Sequence, residues 1–73
     1  MQKQLTAIIE REGDSYVSLC PEFDIASQGD TIEEARKNLR EALELFFETV
    51  SPSEIRTRFH KEVYVTQVEV AIG

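Results

Sequence analysis

Gly29-Asp30-Thr31-Ile32-Glu33-Glu34-Ala35 is the stretch on which the reading of this chain turns. Thr31 and Glu34 stand three residues apart, the spacing of a capping box. The threonine hydroxyl accepts from the backbone N–H of Glu34, and the glutamate reaches back to the opening of the helix. Asp30 places negative charge beside the same N-terminus, where the helix dipole favours it; moving the cap to Asp30 shifts the boundary by one residue and changes nothing else. From there Ile32, Ala35, Leu39, Ala42, Leu43, Phe46 and Val50 fall in a stripe about 100° wide at helical period, so a long amphipathic helix is expected to lie on one face of a sheet. Glu33 and Lys37 form a favourable i,i+4 pair on its wet side. Leu45 points away from the stripe and Phe47 lies on its shoulder. Two large apolar residues off the core face mark them as candidates for self-association.

The sheet is read from the residues before this helix. Gln4–Glu12 alternates for part of its length, with Leu5, Ala7 and Ile9 on one side, and Ser15–Cys20 alternates again, with Val17 and Leu19 opposed to Tyr16, Ser18 and Cys20. Glu12-Gly13-Asp14 between them carries turn chemistry, which makes the pair an antiparallel hairpin. Pro21 lacks an N–H for a ladder and ends the second strand or puts it at an edge. Phe23–Gln28 is expected to form a third strand, closed by Gly29. After the helix, Ser51 caps and Pro52 starts a short second one, with Glu54 three residues on. Glu62–Ile72 is rich in β-branched residues and reads as a last strand. Val63 and Val65 face one way and Val68, Val70 and Ile72 the other, which requires either a bulge near Thr66 and Gln67 or cover on both faces. The expected class is α+β, in the order β-β-β-α-β, an antiparallel-rich sheet under one long helix, within a single domain spanning residues 1–73.

Composition narrows the function. A chain of 73 residues has a marginal core, and such chains lean on disulfides, metals or self-association. Cys20 is the single cysteine and His60 the single histidine, too few for an internal disulfide or a zinc site. A homodimer or larger oligomer is therefore expected, with no metal and no cofactor. Lys and Arg number 8 against 14 Asp and Glu, a net charge of −6. That balance disfavours direct contact with nucleic acid and suits a basic protein partner, although charge of this size also serves solubility. The opening Met1-Gln2-Lys3-Gln4 is not a signal peptide, and no apolar run nears the roughly 20 residues of a membrane span, so a cytoplasmic location is expected.

Candidate chemistry is sparse. Glu22 and Asp24 flank Phe23, Asp14 lies in a turn and Glu10 on a strand, with nothing to gather them into a metal or acid–base constellation. Cys20 and His60 lack the surroundings that activate a thiol. Arg56, Arg58, His60 and Lys61 form the one basic cluster and read as a solvated connection. No catalytic residue is assigned, and an enzyme is not expected.

Tyr16-Val17-Ser18-Leu19-Cys20-Pro21-Glu22-Phe23-Asp24, then Ser27-Gln28-Gly29-Asp30-Thr31-Ile32-Glu33-Glu34-Ala35 and Asn38-Leu39-Arg40-Glu41-Ala42-Leu43, resemble the HicB antitoxin family. The resemblance runs from about Tyr16 to Glu48. It implies a β-β-β-α-β domain related to a truncated ribonuclease H-like arrangement without the nuclease acids, and a partner: a small, basic HicA-type toxin that cleaves mRNA and is masked by occlusion of its RNA-binding surface. It does not extend to the DNA-binding domain that many such antitoxins append. Glu22, Asp24 and Asp30 are the expected contact residues of the acidic side. A stand-alone oligomeric interaction module of the same fold, without a toxin, is the alternative.

Overall fold

The structure is a computed structural model that describes residues 3–73; of the opening stretch read for a leader, Met1 and Gln2 lie outside the described residues. Three strands, β1 (Ile8–Glu12), β2 (Ser15–Cys20) and β3 (Ile25–Gly29), form an antiparallel meander in the order β1-β2-β3. Helix α1 (Ile32–Thr49) lies over it, and a short α2 (Pro52–Arg58) follows. The α+β class and the order β-β-β-α match the expectation. Gly13 makes the hairpin turn at φ 63°, a left-handed conformation that costs glycine little.

Strand register sorts the side chains into rows. Ile9, Ser18 and Ser27 form one row facing α1, and Arg11, Tyr16 and Gly29 the next. The opposite face carries the rows Ile8–Leu19–Ala26 and Glu10–Val17–Gln28. Of β2, Ser18 and Cys20 therefore lie under the helix with Tyr16 half-buried at the hairpin end of the same face, while Val17 and Leu19 lie on the uncovered side. Leu19 is 38% exposed, whereas Ser18 and Cys20 are fully buried. The reason is how closely α1 comes. A Cβ on Gly29 would stand 2.5 Å from the Ala35 backbone N, and Ser18 Oγ donates to the Ala35 carbonyl at 2.8 Å. A side chain the size of leucine has no room there.

Farther along, Leu39 and Phe46 of the helix pack with Cys20 and Phe23 into the core, with Leu5, Ile25, Leu43, Val50, Ile55 and Phe59 around them. The predicted stripe is the buried face of α1, apart from Ile32, which is exposed at the first turn. Thr31 is the cap: its hydroxyl accepts from Glu34 N at 3.0 Å, and Glu34 Oε1 accepts from Asp30 N. Ser51 caps α2 in the same manner.

Besides the first strand, which begins at Ile8 rather than Gln4, two expectations need correction. The third strand begins at Ile25 rather than Phe23, because Pro21–Asp24 is a turn in which Asp24 takes a left-handed φ of 55°. Phe23 is thereby swung into the core instead of along a ladder. The second correction concerns Glu62–Ile72, which forms no strand. A strand requires a neighbour for its N–H and C=O groups, and this segment has none among the described residues. Tyr64, Val65, Val68, Val70 and Ile72 stand in solvent, Ile72 at 94% exposure.

Candidate functional site

The turn between β2 and β3 is the most densely bonded part of the molecule. Phe23 sits at its centre and gathers the other three phenylalanines. Its ring lies 5.4 Å from Phe46, 5.1 Å edge-on from Phe47 and 5.2 Å stacked on Phe59, spacings at which aromatic pairs attract. Arg58 donates to the Phe23 carbonyl at 3.0 Å and lays its guanidinium over Phe46. Lys3 Nζ lies 4.3 Å from the centre of the Phe59 ring, a cation–π contact. The backbone N–H of His60 donates to the Glu22 carbonyl at 2.7 Å, and the His60 ring bonds Asp24 at 2.8 Å. Residues 58–60 thus clasp the turn from the far end of the chain.

Glu22 is a positioning residue within this clasp. Its carboxylate accepts from Thr6 N at 3.1 and 3.0 Å, from Thr6 Oγ1 at 2.7 Å and from Cys20 Sγ at 3.4 Å. Burial pushes its carboxyl up, but the bonds it accepts, those from Thr6 and Cys20 among them, outweigh burial and hold it below the usual value of 4.5. The Cys20 thiol moves the opposite way: burial raises it first, and the bond to Glu22 adds to that. A thiol pushed up in this manner stays protonated and is a weak nucleophile. His60 is engaged with Asp24 rather than Cys20.

The structure does not bring the three expected contact residues together. Glu22 and Asp24 lie where β2 ends and β3 begins; Asp30 lies past the other end of β3. Glu22 is committed to Thr6 and Asp24 to His60, whereas the Asp30 side chain is exposed. Asp30 shares its end of the sheet with Glu12 and Asp14 of the hairpin turn and with Glu33 of the first turn of α1, since Glu12 pairs Ser15 and Gly29 pairs Tyr16. Tyr16, Asp30, Thr31, Ile32 and Glu33 line a shallow, open depression there. This acidic end was hidden in the sequence because its members come from two separate segments, 12–14 and 30–33. Hairpin arithmetic alone, with the turn at Gly13 and the cap at Thr31, would have placed them side by side.

Leu45 and Phe47, the self-association candidates, are 60% and 38% exposed. Phe47 uses one edge of its ring on Phe23 and Phe46, while Leu45 is free of the core. Of the basic cluster, Arg58 and His60 belong to the clasp and Arg56 and Lys61 are exposed. Phe59 and Ile55 were missed as core residues; their i,i+4 spacing on a capped helix was the available signal. Among the described residues no three His, Cys, Asp or Glu side chains group as metal ligands would, and no helix is long and apolar enough to cross a membrane.

A three-stranded meander under one helix, with Glu22, Arg58 and His60 holding a turn at one end and Glu12, Asp14, Asp30 and Glu33 beside Arg11 at the other, defines a small α+β domain of one long helix on one sheet. The chain belongs to the UPF0150 family. A UPF0150 protein of Synechocystis sp. is 48% identical over 50 residues, covering 66% of this chain and 69% of the relative. One from Thermotoga maritima is 31% identical over 65 residues, 88% of this chain and 93% of the relative, and one from Helicobacter pylori is 29% identical over 70 residues, 94% and 97%. No protein-family model matches the chain, and no solved structure matches it.

Proposed function

We propose that this protein is an antitoxin-like binding module that masks a basic, HicA-type mRNA-cleaving ribonuclease toxin, with no catalysis of its own and in the cytoplasm. The reading includes the truncated ribonuclease H-like arrangement that the HicB resemblance implies. The observation that carries it is the acidic end of the sheet, where Asp30 joins Glu12, Asp14 and Glu33, four carboxylates against the one Arg11 of that row, around the exposed Ile32 and the half-buried Tyr16. A ribonuclease must attract phosphates and therefore presents basic residues, for which such a surface is the complement. Glu22 supports the site at a distance by fixing the turn, and Asp24 is open to contact on the side away from His60.

The test is binding of the toxin encoded beside this gene, at several salt concentrations. Wild type is compared with an Asp14→Asn/Asp30→Asn variant and with a Glu22→Gln/Asp24→Asn variant. The first should slow association and flatten its salt dependence, as charges at the rim of an interface do. The second should act mainly through stability. An association rate independent of salt and unchanged in the first variant removes the electrostatic part. Failure of any neighbouring toxin to bind removes the antitoxin reading.

A second reading, a self-assembling interaction module with no toxin, is favoured by the apolar surface left open at Leu45, Phe47, Ile8 and Leu19. Light scattering of the pure chain addresses it directly.

A further inference from the structure

Residues 63–72, Val-Tyr-Val-Thr-Gln-Val-Glu-Val-Ala-Ile, have the composition of a strand and lack a neighbour. Apart from the half-buried Val63, every one of them is exposed. The radius of gyration, 14.3 Å over a longest extent of 48 Å, exceeds the roughly 11 Å of a compact chain of this length. The segment leaves the body rather than folding over it.

The sheet has two edges, and they differ. The β3 edge is engaged at its C-terminal end: Asn38 of α1 donates its amide to the Gln28 carbonyl at 2.7 Å, and Gly29 is pressed against the first turn of the helix. The β1 edge is open. Among the described residues β1 pairs with β2 alone, so the outer edge of Ile8–Glu12 offers N–H and C=O groups of the kind that recruit a strand, and helix α1 reaches β1 only at its margin. Beside it the row Ile8–Leu19–Ala26 lies bare, with Ile8 40% exposed.

We infer that residues 63–72 of one copy add as a strand to the β1 edge of a second copy, and that the exchange is reciprocal. The occupant follows from the pattern of the segment. Val63 and Val65 are apolar on one side, and Val68, Val70 and Ile72 on the other. At the edge of its own sheet such a strand would have helix cover on one face alone. In a two-fold pair the uncovered rows of both sheets supply apolar surface for its second face, and a two-fold contact repeats every bond. With β1 and the bare row, the segment approaches the roughly 20–30 residues a side of a stable interface. This inference rests on the self-association reading and is independent of toxin binding.

The experiment uses the full chain alone. Sedimentation equilibrium should give twice the 8.4 kDa monomer mass at micromolar concentration. Amide exchange should be slow in both 63–72 and 8–12, and should accelerate in both on dilution. Val68→Pro/Val70→Pro should raise the dissociation midpoint by at least about tenfold while the circular dichroism of the body is kept. Leu45→Arg should leave the midpoint unchanged. A monomer at every concentration overturns the inference and the self-association reading together. A dimer that survives the proline variant and is lost in Leu45→Arg overturns the strand exchange alone. Should the proline variant fail to fold, exchange in the wild type still decides: fast amides in 63–72 within a dimer, or slow amides within a monomer, refute it.

Discussion

The two ends of the interface between α1 and the sheet are built from opposite materials. At the end near the cap, Gly29, Ser18 and Ala35 are about as small as residues can be, and helix and sheet touch almost backbone to backbone. At the far end four phenylalanines fill the space, with ring centres 5.1–5.5 Å apart. One end tolerates no added atom and the other no lost one. Side-chain size at these positions, rather than hydrophobicity as such, sets how the helix lies, and so explains why Ser18 and Cys20 are buried while Leu19, between them on the opposite face, meets solvent.

The comparison breaks most completely at the aromatic end. Phe46→Ala should cost about 3–5 kcal/mol, most of what a domain of this size has to spare; urea titration followed by circular dichroism would measure it. At the close end, Gly29→Ala should cost about 1–3 kcal/mol through overpacking, because the atoms its methyl would meet belong to the Ala35 and Glu34 backbone and cannot rotate aside. If Gly29→Ala proved neutral while Phe46→Ala unfolded the chain, the close approach at Gly29 would be wrong.

The smallest effect concerns the turn that the aromatic end depends on. The carboxyl of Glu22 titrates below its ordinary 4.5 in the folded chain, so the unfolded chain binds a proton first as pH falls. The stabilisation is fully present above about 4.5 and is lost as pH drops through the lower folded value. Glu22→Gln should therefore remove part of the acid-side decline in stability and leave the aromatic packing unaltered. Thermal melts between pH 6 and 3 would show the two curves converging; parallel curves would deny Glu22 this role.

How much of this was legible depends on how far apart the partners lie. The capping box, the helical stripe, the hairpin and Pro52 at the first position of α2 are local signals, and each is where the residues pointed. Phe23 was assigned to a strand because an apolar residue reads alike in a ladder and in a turn that points inward; the left-handed Asp24 made the difference. Glu22 looked like free surface because its partner, Thr6, is 16 residues away, and Asp30 was grouped with it because sequence adjacency hides the length of β3. The last expected strand had the right composition. What it lacked was a neighbour, and no residue type encodes a neighbour.

Connectivity has a consequence in time. Each strand of the meander pairs with the strand just before it, and α1 packs chiefly on the strand from which it departs. Chains whose contacts are this local close short loops and fold fast. The contacts of Arg58 with Phe23 and of His60 with Asp24 span 35 and 36 residues and need the loop around α1 closed first. The hairpin, third strand and helix can therefore take shape before the clasp closes over the turn.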